Sequence, residues 1–144
     1  MNFYSFPSKN CPKCERLCAF HAVNRQKYPE FYNGAVPSFG SLESELLVVG
    51  LAPGLKGANA TGRPFTGDYA GDLLYPALAR QGFMQDSAWL KGGKLPSEIF
   101  RSAEHQTTEI EFELKNARIT NAVRCVPPEN KPTTQEIAEC NPFL

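Results

Sequence analysis

An α/β fold built on a parallel sheet is the class this sequence predicts, on three observations. Glu45-Leu46-Leu47-Val48-Val49-Gly50 is a continuous apolar run ending in glycine, the pattern of a strand buried on both faces. A long glycine-bearing loop follows, and then a helical spacing of Leu73, Leu74, Ala77 and Leu78. A second run rich in β-branched residues, Arg118-Ile119-Thr120-Asn121-Ala122-Val123-Arg124-Cys125, comes later. Strand, loop, helix, strand is the opening of a βαβ unit, whose strands lie parallel.

Taken in order, the first strand is Glu45–Gly50 and its loop runs from Leu51 to Asp68. The helix after it is expected to begin close to Ala70 or Asp72, which places Pro76 near the first turn, and to stop at Gln81-Gly82. Trp89, Lys91-Gly92-Gly93-Lys94 and Pro96 read as a loop insertion, with one short helix from Ser97 to His105. Glu109-Ile110-Glu111-Phe112-Glu113-Leu114 alternates strictly, which suits an exposed strand. After the second strand, Val126 to Pro132 breaks the run, and Thr133 with Glu136 is a capping-box signature opening a helix toward Cys140. Two parallel strands leave both edges of a sheet unpaired, whereas a doubly wound sheet normally has about four to six strands. The 144 residues are therefore expected to form a single incomplete domain, the front part of a larger one.

The composition, 42% hydrophobic and 21% charged, is that of a globular chain and excludes global disorder, collagen and coiled coil. No apolar run is long enough to span a bilayer, and the N-terminus lacks a basic segment followed by an apolar one. A soluble, cytoplasmic protein is expected. Fifteen basic and fifteen acidic side chains cancel, so only their distribution bears on partners. Lys9, Lys13, Arg16, Arg25 and Lys27 make the N-terminal stretch basic, which suits phosphate contacts or simply a solvated surface.

Cysteine says more. Cytosolic thiols stay reduced, so a disulfide framework is not expected from Cys11, Cys14, Cys18, Cys125 and Cys140. Cys11-Pro12-Lys13-Cys14 has the spacing that brings two thiolates to one metal centre, and Cys125 and Cys140 form a wider second pair. A centre pinning the two ends together follows. On spacing alone zinc is the favoured occupant, an iron–sulfur cluster the alternative, and scattered buried thiols the plain reading. Cys18 reads as a core residue, with replacement of a neighbouring ligand as the alternative.

Three stretches carry a resemblance to a known family. They are Gly50-Leu51-Ala52-Pro53-Gly54, Gly57-Ala58-Asn59 and Thr61-Gly62-Arg63-Pro64-Phe65-Thr66-Gly67-Asp68. Read with Ile119 to Pro128 and the CxxC, they resemble the iron–sulfur uracil-DNA glycosylases, most closely the family-5, or type-b, branch. The resemblance implies a three-layer parallel-sheet fold of which this chain is the N-terminal part. It also implies a base-excision repair enzyme that hydrolyses the N-glycosidic bond of uracil, and of other deaminated bases, in DNA, acting as a monomer in a bacterial-type cytoplasm and nucleoid.

The chemistry makes sense of these residues. A base inside the duplex must be extruded into a pocket before its glycosidic bond is accessible. Phe65 offers a stacking platform, and the Asn121 carboxamide can accept from uracil N3–H and donate to O4. Gly50, Ala52 and Gly54 are small enough for backbone N–H groups to approach the base. Bond cleavage develops positive charge on the sugar and negative charge on the leaving base, so a carboxylate beside the sugar is stabilising. By resemblance that acid is Asp68, and its plain alternative is the N-cap of the following helix. Resemblance likewise implies a structural [4Fe–4S] cluster on Cys11, Cys14, Cys125 and Cys140, with zinc as the alternative, positioning Lys131 toward DNA phosphates.

Two departures from the family are visible. Ala60 stands where a basic residue is usual, and neither His21 nor His105 lies in the His-Pro-Ser-type motif that a C-terminal segment would supply. Both histidines read as surface or packing residues. A catalytically incompetent iron–sulfur DNA-binding fragment is the rival reading. A phosphate-cradling nucleotide-binding loop is weaker, because no Gly-Lys-Ser/Thr or tightly spaced GxGxxG follows the strand.

Overall fold

In a computed structural model the chain is described over residues 6–85, 93, 95–98 and 112–144. Two strands, β1 (Leu46–Gly50) and β2 (Ala117–Asn121), pair in parallel with Leu46 opposite Ala117 and Gly50 opposite Asn121. Between them lie α2 (Ala58–Thr61) and α3 (Tyr69–Arg80). The crossover is the expected βαβ opening. The second strand is shorter than its β-branched run, ending at Asn121 before Ala122 and Val123 donate to the Gly50 and Leu51 carbonyls at 2.8 and 3.0 Å.

α3 begins at Tyr69, so Pro76 lies well inside the helix rather than near its first turn. Proline there removes the bond to the carbonyl four residues back. The helix persists because its buried face, Gly71, Tyr75 and Leu78, is held by packing. Tyr75, Leu78, Met84, Phe112 and Ile119 form the first core, with Leu46 and Val48 of β1 against it. The Phe112 ring meets Tyr75 and Phe39 edge-on, centroids 4.9 and 5.2 Å apart.

The expectation of a strand buried on both faces is corrected. β1 alternates, with Leu47 48% and Val49 45% exposed. Tyr75 and Leu78 of α3 pack on one face, while β2 is buried on both, with Ile119 0% and Thr120 1% exposed, so the half-exposed side belongs to β1. An apolar run fixes a strand's composition, but burial of its second face depends on an element packing there. Of the stretches expected between α3 and β2, residues 96–98 form a helical turn and Leu114 makes an antiparallel bridge to Met84. Trp89, residues 99–105 and residues 109–111 lie outside the described residues.

A 13-residue helix, α1 (Glu15–Lys27), precedes the sheet and was not legible as an amphipathic pattern. Its buried positions, Leu17, His21 and Asn24, do follow helical spacing, but two of the three are polar. A short helix, α4 (Thr134–Cys140), closes the chain with the expected capping box: Thr133 Oγ1 accepts from the Glu136 N–H at 3.2 Å, and Glu136 Oε2 from the Thr133 N–H at 2.8 Å. Arg16 ties the two ends together, donating to both Glu136 oxygens at 2.7 and 2.8 Å and to the Lys131 carbonyl at 3.0 Å. Leu17, Val123 and Cys140 form the second core there, with Ala52, Ile137 and Phe143 against it.

His21 is a packing residue, as expected, and it makes stability depend on pH. Burial, with Arg25 nearby, lowers its pKa from the usual 6.5 to about 4. The unfolded chain therefore takes up this proton first. Stability from neutral His21 is full above about pH 6.5 and is lost as pH falls toward 4, at up to about 1.4 kcal/mol per pH unit. Urea unfolding at pH 7, 5.5 and 4.5 should show a steeper decline for the parent than for His21→Gln. Equal declines would remove His21 as the cause.

Candidate functional site

Strand register builds the first half of the site. Because Gly50 is paired with Asn121, the end of β1 and the Asn121 carboxamide meet at one point. A Cβ at Gly50 would collide with Asn121 Oδ1 and come within 2.7 Å of Phe65 Cζ. Asn121 is 5% exposed, so its amide is held inside rather than trailing in solvent. Glycine is required here by close approach.

Phe65 reaches that point on a tight loop in which its own φ is +54°, the left-handed region that a bulky side chain rarely occupies. Several contacts hold it. Tyr75 Oη donates to the Pro64 carbonyl at 2.6 Å, and Thr66 Oγ1 to the Arg63 carbonyl at 2.8 Å. The Arg63 guanidinium lies over the Phe39 and Phe112 rings, 4.6 and 4.9 Å from their centroids. Helix α3 seats directly on the loop, for a Cβ at Gly71 would run into the Phe65 carbonyl, its carbon only 2.9 Å away. Strain of this kind persists where surrounding contacts over-determine it.

Asp68 stands at the N-cap position of α3 with extended backbone, yet its side chain makes no cap bond to the helix. The plain alternative for Asp68 is corrected to that extent. Its carboxylate instead faces the start of the loop, with Oδ2 3.4 Å from a Cβ at Gly54 and Cγ 3.0 Å from one at Gly57. The nearby acid Asp72 is engaged elsewhere, accepting from the Ser97 N–H and Oγ at 2.6 and 2.5 Å. Gly54 also accepts, through its carbonyl, from the Gly57 and Asn59 N–H groups at 3.2 and 3.1 Å. Ala52 packs on the second core and so stands between this loop and the cysteines.

All five cysteines line one cavity between α1, the segment after β2 and α4, together with Leu17, Val123 and Arg124. Cys18 Sγ donates to the Cys11 carbonyl at 3.3 Å, a contact that suits a protonated thiol. Burial pushes the Cys125 thiol up to about 12 and Cys14 up to about 11, and it raises Cys140. The Arg124 N–H donates to Cys140 Sγ at 3.3 Å. Among the described residues, no group of three or more His, Cys, Asp or Glu is arranged to hold a single metal ion.

The structure thus brings Gly50, Phe65 and Asn121 together, sets Asp68 against Gly54 and Gly57, and gathers Cys11, Cys14, Cys125 and Cys140 around one cavity. Asn59 and Arg63 stand in the stretches that carry the resemblance, but their supporting contacts have no local signature. Asn59 is fully buried, donating to Asn33 Oδ1 at 2.9 Å, while Asn33 donates to the Tyr28 carbonyl at 2.7 Å. This chain of amides ties the loop to the segment after α1. Arg63, Arg16 and Arg124 act through partners 19 or more residues away, so no local pattern marks these contacts.

A sequence model of the uracil DNA glycosylase superfamily matches residues 37–144. The chain is 38% identical over 135 residues to a type-5 uracil-DNA glycosylase of Thermus thermophilus, an alignment covering 90% of this chain and 54% of that protein. It is 39% identical over 140 residues to the type-5 enzyme of Mycobacterium leprae, covering 93% and 54%. A type-4 uracil-DNA glycosylase of Pyrobaculum aerophilum is 31% identical over 137 residues, covering 94% and 48%. The chain spans about half the length of these relatives. With the superfamily match running from before β1 to the last residue, across the Gly50–Asn121 register and the Asp68 loop, the chain belongs to the uracil DNA glycosylase superfamily.

Proposed function

We propose that this chain is the base-pocket and cysteine-centre portion, a single incomplete domain, of a type-5 uracil-DNA glycosylase that hydrolyses uracil from DNA. The observation that carries the reading is the convergence of Asn121 Oδ1 and the Phe65 ring on Gly50. An extruded uracil would stack on Phe65 while Asn121 accepts from N3–H and donates to O4. Asp68, beside Gly54 and Gly57, would stabilise the sugar cation and orient water. The exposed Lys131, whose carbonyl is fixed by Arg16, faces solvent where a phosphate can bind. The enzyme would act as a monomer in the cytoplasm, on nucleoid DNA; no helix among the described residues is long and apolar enough to cross a membrane.

Cys11, Cys14, Cys125 and Cys140 would hold a [4Fe–4S] cluster. All four line one cavity between α1 and α4, a set of soft sulfur donors that either an iron–sulfur core or zinc takes, and the family resemblance favours the cluster. When bound, the group is structural, pinning α1 to α4; hydrolysis of a glycosidic bond transfers no electron.

The test uses a DNA duplex with one uracil and two proteins: this chain, and this chain joined to the part of the Thermus relative that it does not match. The joined protein should excise uracil in a single turnover and bind about four irons. Cys125→Ser should lose the iron, while Cys18→Ser should keep it. A colourless protein with one zinc would overturn the cluster. An iron-loaded joined protein that binds the duplex without excising uracil would make this a DNA-binding relative.

A further inference from the structure

Arg124 is the most deeply buried cation of the described chain, 2% exposed, although nothing in the proposed hydrolysis uses it. One nitrogen, Nη2, donates to the Phe143 carbonyl. Nε and Nη1 are equally buried and have no hydrogen-bond partner. Leaving two guanidinium donors dry and unsatisfied carries the desolvation cost of each, more so because the group is charged. Among the described residues no carboxylate forms an ion pair with Arg124, and the only salt bridge is Arg16–Glu136. The five cysteines are the main polar lining of its cavity, with Lys13 and Glu139 also there. Arg124 lines the cysteine cavity, its backbone N–H donates to Cys140 Sγ, and Cys125 is the next residue.

A buried cation with spare donors, set in a cavity of thiols, calls for an anion in that cavity. Four cysteine thiolates on a [4Fe–4S]²⁺ core carry two net negative charges, and thiolate and sulfide sulfurs accept hydrogen bonds. We propose that Arg124 is a positioning residue of the cysteine centre: its Nε and Nη1 protons bond the sulfur atoms of the bound cluster, and its charge offsets the cluster's. Resting on the cluster reading above, the proposal adds a residue outside the ligand set whose role is electrostatic.

The reading has a sign that mere packing does not share. Reduction adds negative charge to the cluster, so removing a neighbouring cation disfavours the reduced form and moves the potential down. Opening the cavity to water favours the reduced form and moves it up. The experiment reconstitutes the 144-residue chain anaerobically with ferrous iron and sulfide and titrates the cluster potentiometrically by electron paramagnetic resonance. Arg124→Gln should fold, hold the cluster at a more negative potential, and lose iron to a chelator several-fold faster than the parent. Arg124→Lys keeps the charge but not the fork, so its potential should fall by less.

An Arg124→Gln protein with intact cluster and an unchanged or raised potential would overturn the proposal. If Arg124→Gln takes up no cluster, Arg124→Lys decides. Loading at a potential below the parent's supports the role, whereas loading at or above it, or no loading in a protein whose circular dichroism shows that it is folded, overturns it. A parent chain that binds no iron–sulfur cluster brings down the underlying cluster reading, an outcome visible before any variant is made.

Discussion

Asp68→Asn, in the protein joined to the rest of a type-5 relative, is expected to slow single-turnover uracil excision about thirty- to thousand-fold. That is a loss of roughly 2–4 kcal/mol of transition-state stabilisation, the scale of other preorganised electrostatic groups. Fold and iron content should be unchanged. Asp68 makes no side-chain cap bond to α3, and asparagine suits the N-cap position about equally well. Phe65→Ala is the sharp comparison, for it should weaken capture of the extruded base while leaving the carboxylate in place. Excision by Asp68→Asn at the parental rate, with enzyme saturating, would remove Asp68 from the chemistry. Asp72 is a poor substitute, because both of its oxygens are taken by Ser97.

The largest loss of stability is expected at Gly71, where helix propensity alone predicts the opposite. Replacing a helical glycine by alanine ordinarily stabilises by about 0.5–1 kcal/mol. Here the new methyl would be driven into the Phe65 carbonyl, a backbone group that the Tyr75–Pro64 bond and the Arg63 stack prevent from retreating. Gly71→Ala should destabilise by about 3 kcal/mol, the upper range for overpacking. It should also unseat Phe65 from Gly50. Ala70→Gly, on the exposed side of the same turn, should cost no more than about 1 kcal/mol. Urea midpoints for the two variants give the comparison. A Gly71→Ala protein as stable as the parent would show that loop and helix can separate without penalty.

Residues next to one another in the sequence carried the parts of this site whose physics is local. Thr133 and Glu136 spell a capping box because both bonds close within one helical turn, and they form one. The two strands were legible because β-branched and apolar runs between turn signals favour extended backbone, and the crossover between them makes the pair parallel. The ordered motifs, from Gly50 through Asp68 to Asn121, carry the family resemblance in residue identity and order alone, and the superfamily match agrees. α1 was not legible: its inward positions include His21 and Asn24, and polar residues at core positions erase the periodicity on which a helix is recognised.

By itself, then, the sequence determined the parallel βαβ opening, the cysteine inventory and the identity of the residues on which the proposed base reading rests. Tertiary structure alone decided where they meet. A register shift of one residue would carry Asn121 to the other face of the sheet, and only the pairing of Gly50 with Asn121 excludes it. Leu47 and Val49 on the outer face of β1 stay half-exposed among the described residues, a fact that no run of apolar letters contains. Arg124 looked like one more basic residue beside a cysteine until the fold enclosed it. Its charge became significant because burial removed the water that would have satisfied its two remaining donors.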